Sequence, residues 1–124
     1  MVLSLLTSEE DQDLNLENEA VTCEKNAIRL YRLPIMDRSI PRSVREVEGI
    51  IDKVRRDLDR GLNVNIHCRQ GIGRAAMIAA ALLIEKGILP DQAIERIAKA
   101  RGVPVPETHH QRAWIDQFAA SPKR

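Results

Sequence analysis

Residues 63 to 86, Asn-Val-Asn-Ile-His-Cys-Arg-Gln-Gly-Ile-Gly-Arg-Ala-Ala-Met-Ile-Ala-Ala-Ala-Leu-Leu-Ile-Glu-Lys, leave the chain few folds to choose from. Val64 and Ile66 alternate with asparagines up to His67, a short strand pattern, and the Ala/Leu/Ile-rich run after Arg74 is long enough for a buried helix. Between them, Gly71 and Gly73 free the backbone so that successive N–H groups can face one concavity. Such a nest at a helix N-terminus is an anion cradle.

Cys68 opens this turn and Arg74 closes it. Thiols in such nests ionise readily, with pKa values brought from about 8.5 to roughly 3.5–7.5, which makes Cys68 a candidate nucleophile. Arg74 adds a planar fork of donors that can grip two oxygens of a phosphate-like group. A small buried cysteine before a glycine-packed helix would account for Cys68 alone, but for neither the glycine pair nor Arg74. The segment His-Cys-x5-Arg, residues 67 to 74, resembles the signature of the cysteine-dependent tyrosine and dual-specificity phosphatases.

The remaining elements alternate in kind. Val2 to Leu6 reads as a buried strand, and Thr7 or Ser8 caps an acidic turn through Glu9, Glu10 and Asp11, a cluster explained by capping. Residues 16–26 form a short helix with Cys23, a structural thiol or a reserve for Cys68, and Ile28 to Leu33 is a second strand closed by Pro34. Ser43 and Glu46 form a capping box at the head of a helix whose stripe is Val44, Val47, Ile51, Val54 and Leu58, stopped at Gly61. Past the Cys-loop helix, a helix from Pro90-Asp91 to Arg101-Gly102 carries Ala93, Ile94, Ile97 and Ala98 inward. A stiff connector, 103–106, leads to a last helix opened by Thr108 and holding Trp114, Ile115 and Phe118. The expectation is one α/β domain over 1–124, a mostly parallel sheet flanked by helices, dual-specificity-phosphatase-like with a short N-terminus, and the site at the strands' C-terminal edge.

Prolines 34 and 41 stiffen a loop, 33–42, around one carboxylate, Asp37. In isolation Asp37 reads as a turn residue or a partner of Arg38. Its Pro-x-x-Asp-x-x-x-Pro setting, 31 positions before Cys68, resembles the general-acid loop of the same phosphatases, and the resemblance implies that Asp37 protonates the leaving group. It further implies that amides from Arg69, Gln70, Gly71, Ile72, Gly73 and Arg74 hold the phosphate, and that Gln111 orients a water. Gln111 also completes a capping box with Thr108, and the two roles are compatible. His67, directly before the nucleophile, is expected to organise the loop by hydrogen bonds or simply to end a strand. The family usually has Ser or Thr after the signature arginine; here Ala75 stands there, implying slow hydrolysis of a phosphocysteine. Arg38, Arg42 and Arg69 are rim residues open to further anion contacts or to solvent.

Composition narrows the partners. A net charge of +1 and 2% aromatic residues argue against a nucleic-acid binder, and the phosphatase resemblance implies a phosphorylated protein or a small phosphate ester as the partner. Two cysteines, one needed as a free thiolate, fit a reducing cytoplasm, and neither a signal peptide nor a membrane span is read. The three histidines show no ligand spacing, so neither metal nor cofactor is expected. Two other readings compete: a phosphate-recognition module with little turnover, favoured by Ala75, and rhodanese-like sulfur transfer, disfavoured by Asp37 and the Cys-x5-Arg spacing.

Overall fold

The first strand of the chain is the middle one of the sheet. In the computed structural model, which describes residues 1–121, β1 (Val2–Ser4) pairs in parallel with β2 (Leu30–Arg32) on one side and β3 (Asn65–His67) on the other. Leu3 lies opposite both Tyr31 and Ile66, so Ser4, Arg32 and His67 end level at one edge. Parallel neighbours need crossovers, and α1 (Ser8–Asp13) with α2 (Glu19–Lys25), then α3 (Val44–Asp59), supply them. The segments leaving the three strand ends therefore meet: the start of α1, the loop 33–42 and the Cys68 turn.

Each of the three strands is shorter than its apolar pattern. Leu5 and Leu6 are buried beyond the end of β1, where the chain still pairs: Ile35 N–H donates to Leu5 C=O (3.0 Å) and Leu33 N–H to Ser4 C=O (2.9 Å). These bonds lay the start of the 33–42 loop against β1. Ile28, expected in β2, is exposed and precedes it, and α2 is shorter than the expected 16–26.

The core is built on α4 (Arg74–Glu85), whose alanines at 75, 76, 80 and 81 are buried and let α5 (Pro90–Arg101) and α6 (His109–Ala119) pack close. Trp114 and Phe118 stack beneath them with ring centroids 5.3 Å apart. On α3, Val47, Ile51 and Val54 are fully buried as expected, but Val44, at the first helical position, is exposed and Leu58 only half-buried. Asp57 takes the inner place instead, accepting from Tyr31 Oη (2.8 Å) and Arg29 Nη1 (2.7 Å). The tyrosine hydroxyl first, and the arginine charge with it, hold its carboxyl below the ordinary value. Among the described residues no helix is long and apolar enough to cross a membrane.

Candidate active site

His67 ends β3 and delivers Cys68 to the sheet edge, where the chain turns through Gly71 at φ +77°, a conformation that side chains rarely allow. The turn aims two amides at the sulfur: Gly71 N–H (3.3 Å) and Ala75 N–H in the first turn of α4 (3.4 Å) donate to Cys68 Sγ. Gly73 is needed for a different reason. A Cβ there would lie 3.0 Å from Glu107 Oε1 and 3.1 Å from the Gln111 amide, so the segment before α6 could not close over the loop.

Arg74, 1% exposed, is gripped rather than free. Its Nη1 donates to Glu10 Oε1 (2.6 Å) and to the Ile35 carbonyl (2.8 Å), its Nη2 donates to Glu10 Oε2 (2.8 Å), and Nη2 lies 3.3 Å from Asp37 Oδ1. The bond from Arg74 outweighs burial and draws the Glu10 carboxyl down from 4.5 to about 2. Burial works against the charge on Arg74, but the Glu10 carboxylate more than compensates and its pKa is raised. The acidic turn is thus more than a helix start. Glu10 does form the capping box with Thr7, yet the same carboxylate holds Arg74, and its buried neighbour Asp11 pairs with Arg32.

Cys68 and Arg74 line a concavity of about 180 Å³ together with Asp37, Arg38, Arg69, Gln70, Gly73 and Glu107. Asp37 is half-exposed at its mouth. Arg38, with φ +60°, turns back to pair with Glu107 (3.2 Å), and Gln111 Nε2 donates to the Ser39 carbonyl (3.0 Å). These two links fasten the Asp37 loop to the segment that begins α6.

The family model described as the DSP-PTPase phosphatase of polymorphic toxin systems matches residues 1–88, a span holding the Asp37 loop and the Cys68 turn. The chain belongs to this phosphatase family. The candidate tyrosine phosphatase 197R of Invertebrate iridescent virus 6 is 35% identical over 91 residues, 67% of this chain and 34% of that protein, so the chain spans about a third of that relative's length. Among solved structures, kinase-associated phosphatase with its catalytic-site cysteine changed to serine superposes with a TM-score of 0.86 (25% identity, 97% of this chain, 70% of that one). Tk-PTP in its active form gives 0.82 (25% identity, 95% and 76%). PTPMT1 in complex with PI(5)P gives 0.79 at 22% identity (95% and 74%), a likeness of fold. The dual-specificity phosphatase fold expected from the signature is therefore the fold of this chain.

Within this phosphatase architecture the other expected site residues have these partners. Both ends of the Gln111 amide are engaged: Oε1 accepts from Glu107 N–H (3.1 Å) and Thr108 N–H (3.2 Å), Nε2 donates to the Ser39 carbonyl, and the side chain is fully buried. Gln111 is a brace between α6 and the Asp37 loop. His67 directs Nε2 to Glu19 on α2 (2.9 Å). Ile72 packs against the core, while its amide stays in the loop. The three rim arginines each face a carboxylate, Arg38 on Glu107, Arg42 on Glu46 (3.3 Å) and Arg69 on Glu10 (3.7 Å). Cys23 is a buried, free thiol. Glu107 is the pocket residue that carries no sequence signal, since nothing in the stiff 103–106 connector foretells that it folds back over the Cys68 turn.

Proposed function

We propose that the chain is a phosphatase that hydrolyses phosphate monoesters, phosphotyrosine in proteins first among them, through a phosphocysteine on Cys68, with residues 1–124 acting as one catalytic domain. The observation that carries this is a sulfur receiving two backbone N–H bonds at one end of a concavity that also holds Arg74 and Asp37. Substrate oxygens accept from the loop amides between Arg69 and Arg74. They also take the edge of the Arg74 fork not used by Glu10, Nε and the Nη2 hydrogen that now approaches Asp37. Such donors are fixed before the reaction and stabilise transition-state charge without reorganising.

The Cys68 thiolate attacks phosphorus, forming S–P as the ester P–O bond breaks, and Asp37 gives its proton to the departing oxygen. A water then attacks the phosphocysteine, Asp37 takes its proton, and S–P breaks to release inorganic phosphate and the thiolate. The free state of Cys68 suits a reducing cytoplasm.

Release of inorganic phosphate from an aryl phosphate by the intact chain tests this. Turnover is expected; phosphate or vanadate binding without turnover would overturn it in favour of a recognition module. Running a phosphotyrosine peptide beside PI(5)P, the ligand of the related PTPMT1 structure, separates protein from lipid substrates.

Ala75 gives the second step a signature. Its amide bonds the sulfur, but the side chain offers no hydroxyl to stabilise that sulfur as a leaving group. A pre-steady-state burst of the aryl alcohol is expected, followed by slow turnover, and Ala75→Ser should raise the slow rate while leaving the burst in place. No burst, with turnover unchanged in the variant, would rule out a slow second step.

A further inference from the structure

The peptide unit joining Gln70 to Gly71 is held from both sides. On the pocket side its N–H donates to Cys68 Sγ (3.3 Å), and on the outer side its C=O accepts from Arg101 Nη2 (3.1 Å). N–H and C=O of one trans amide point in opposite directions, so a bond at one end aims the other. Arg101 reaches the loop from the last turn of α5, a helix that otherwise takes no part in the site. Its guanidinium lies flat enough on Gly71 that a Cβ at this glycine would sit 3.1 Å from Nη2.

Little else fixes this amide. Gly71, at φ +77°, imposes no side-chain preference on which way the unit faces. Beneath it, a cavity of about 150 Å³ lined by Ile66, Gly71, Ala75, Ala76, Ile97 and Arg101 takes the place of a packed wall. Turned over, the unit would present a carbonyl oxygen to the sulfur and to substrate oxygens, replacing a donor by an acceptor in a cradle built for anions.

We infer that Arg101 is a positioning residue that locks the Gln70–Gly71 peptide with its N–H directed at Cys68 and at the bound phosphate. The role rests on the proposed chemistry at Cys68. Its cost in sequence is a glycine at 71 for two reasons at once, the backbone turn and the close approach of the guanidinium.

The test compares wild type, Arg101→Ala and Arg101→Lys by the pH profile of Cys68 alkylation with iodoacetamide, by vanadate affinity and by thermal midpoint. Arg101 is exposed, so folding should survive its loss. Arg101→Ala is expected to move the alkylation profile to higher pH and to weaken vanadate binding about 10- to 100-fold, the scale of a misplaced catalytic contact, at an unchanged midpoint. Arg101→Lys should recover most of both, because the carbonyl needs one donor. An alanine variant with wild-type alkylation and affinity, a loss that tracks a fallen midpoint, or a lysine variant no better than alanine would each overturn the role. Neither readout needs turnover, so a chain that binds vanadate but releases no phosphate would sink the proposed hydrolysis and still report on Arg101.

Discussion

Glu10→Gln is expected to destabilise the fold by about 3–5 kcal/mol, the usual consequence of removing one partner from a buried ion pair. The size follows from what is left behind: Arg74, 1% exposed, would keep its charge and lose the carboxylate that meets both of its terminal nitrogens at 2.6 and 2.8 Å. A neutral amide can accept only one of those bonds. Acid reads the same pair in the wild type. Because the Glu10 carboxyl is drawn from 4.5 to about 2, its stabilisation is complete above pH 4.5 and is lost as pH falls from there through 2. At about 1.4 kcal/mol per pKa unit the linkage is worth roughly 3 kcal/mol, the same order as the substitution. Urea unfolding of both proteins between pH 7 and 2 checks this. The wild-type curve should drop across that window and the Glu10→Gln curve should lie lower and flatter; parallel curves would mean that Arg74 is held by something else. Activity should fall with stability, since Glu10 sets which edge of the guanidinium faces the pocket.

What could be read beforehand, and what could not, divides along a physical line. The 63–86 stretch is local: strand pattern, glycine turn and buried helix lie within one segment, so the Cys68 loop and the helix after it were legible. The three strands and the main helices follow from periodicity and caps for the same reason, although the strand ends do not, because the apolar run continues into Leu5 and Leu6 past the end of β1, where the chain pairs with the outgoing loops rather than within the sheet. The partnership of Glu10 with Arg74 spans 64 positions and arises only once β1 is the middle strand. Helix capping already accounted for the acidic cluster that holds Glu10, and a residue with one sufficient explanation hides a second. The available clue was Arg74 itself, an arginine opening an otherwise apolar helix, since a guanidinium that is buried needs partners for its donors. Gln111 shows both kinds at once: its cap with Thr108 is local and legible, while its bond to the Ser39 carbonyl spans 72 positions and is not.

The largest losses of turnover are expected at Cys68 and Asp37, and they should differ in kind. Cys68→Ser should reduce phosphate release to the background of the assay while vanadate-free phosphate binding persists, because the loop amides and Arg74 remain. Asp37→Asn should slow the reaction by about 10²–10⁴-fold, the ordinary worth of a general acid. That loss should depend on the alcohol released: greatest for phosphotyrosine, whose leaving oxygen needs the proton, and least for p-nitrophenyl phosphate, whose phenolate departs unaided. A carboxylic acid acts only while protonated, so wild-type kcat/KM should fall on the alkaline side as the acid is lost, and the Asn variant should lack that limb. On the proposed mechanism the substrate has a part in this, for Asp37 Oδ1 stands 3.3 Å from Arg74 Nη2, and a phosphate bound by the Arg74 fork would take that hydrogen in its place. The carboxyl is then freed beside the ester oxygen at the mouth of the pocket. If Asp37→Asn kept the alkaline limb and lost equally on both esters, the acid would be another group, and Glu107, the remaining carboxylate lining the concavity, would be the next to replace.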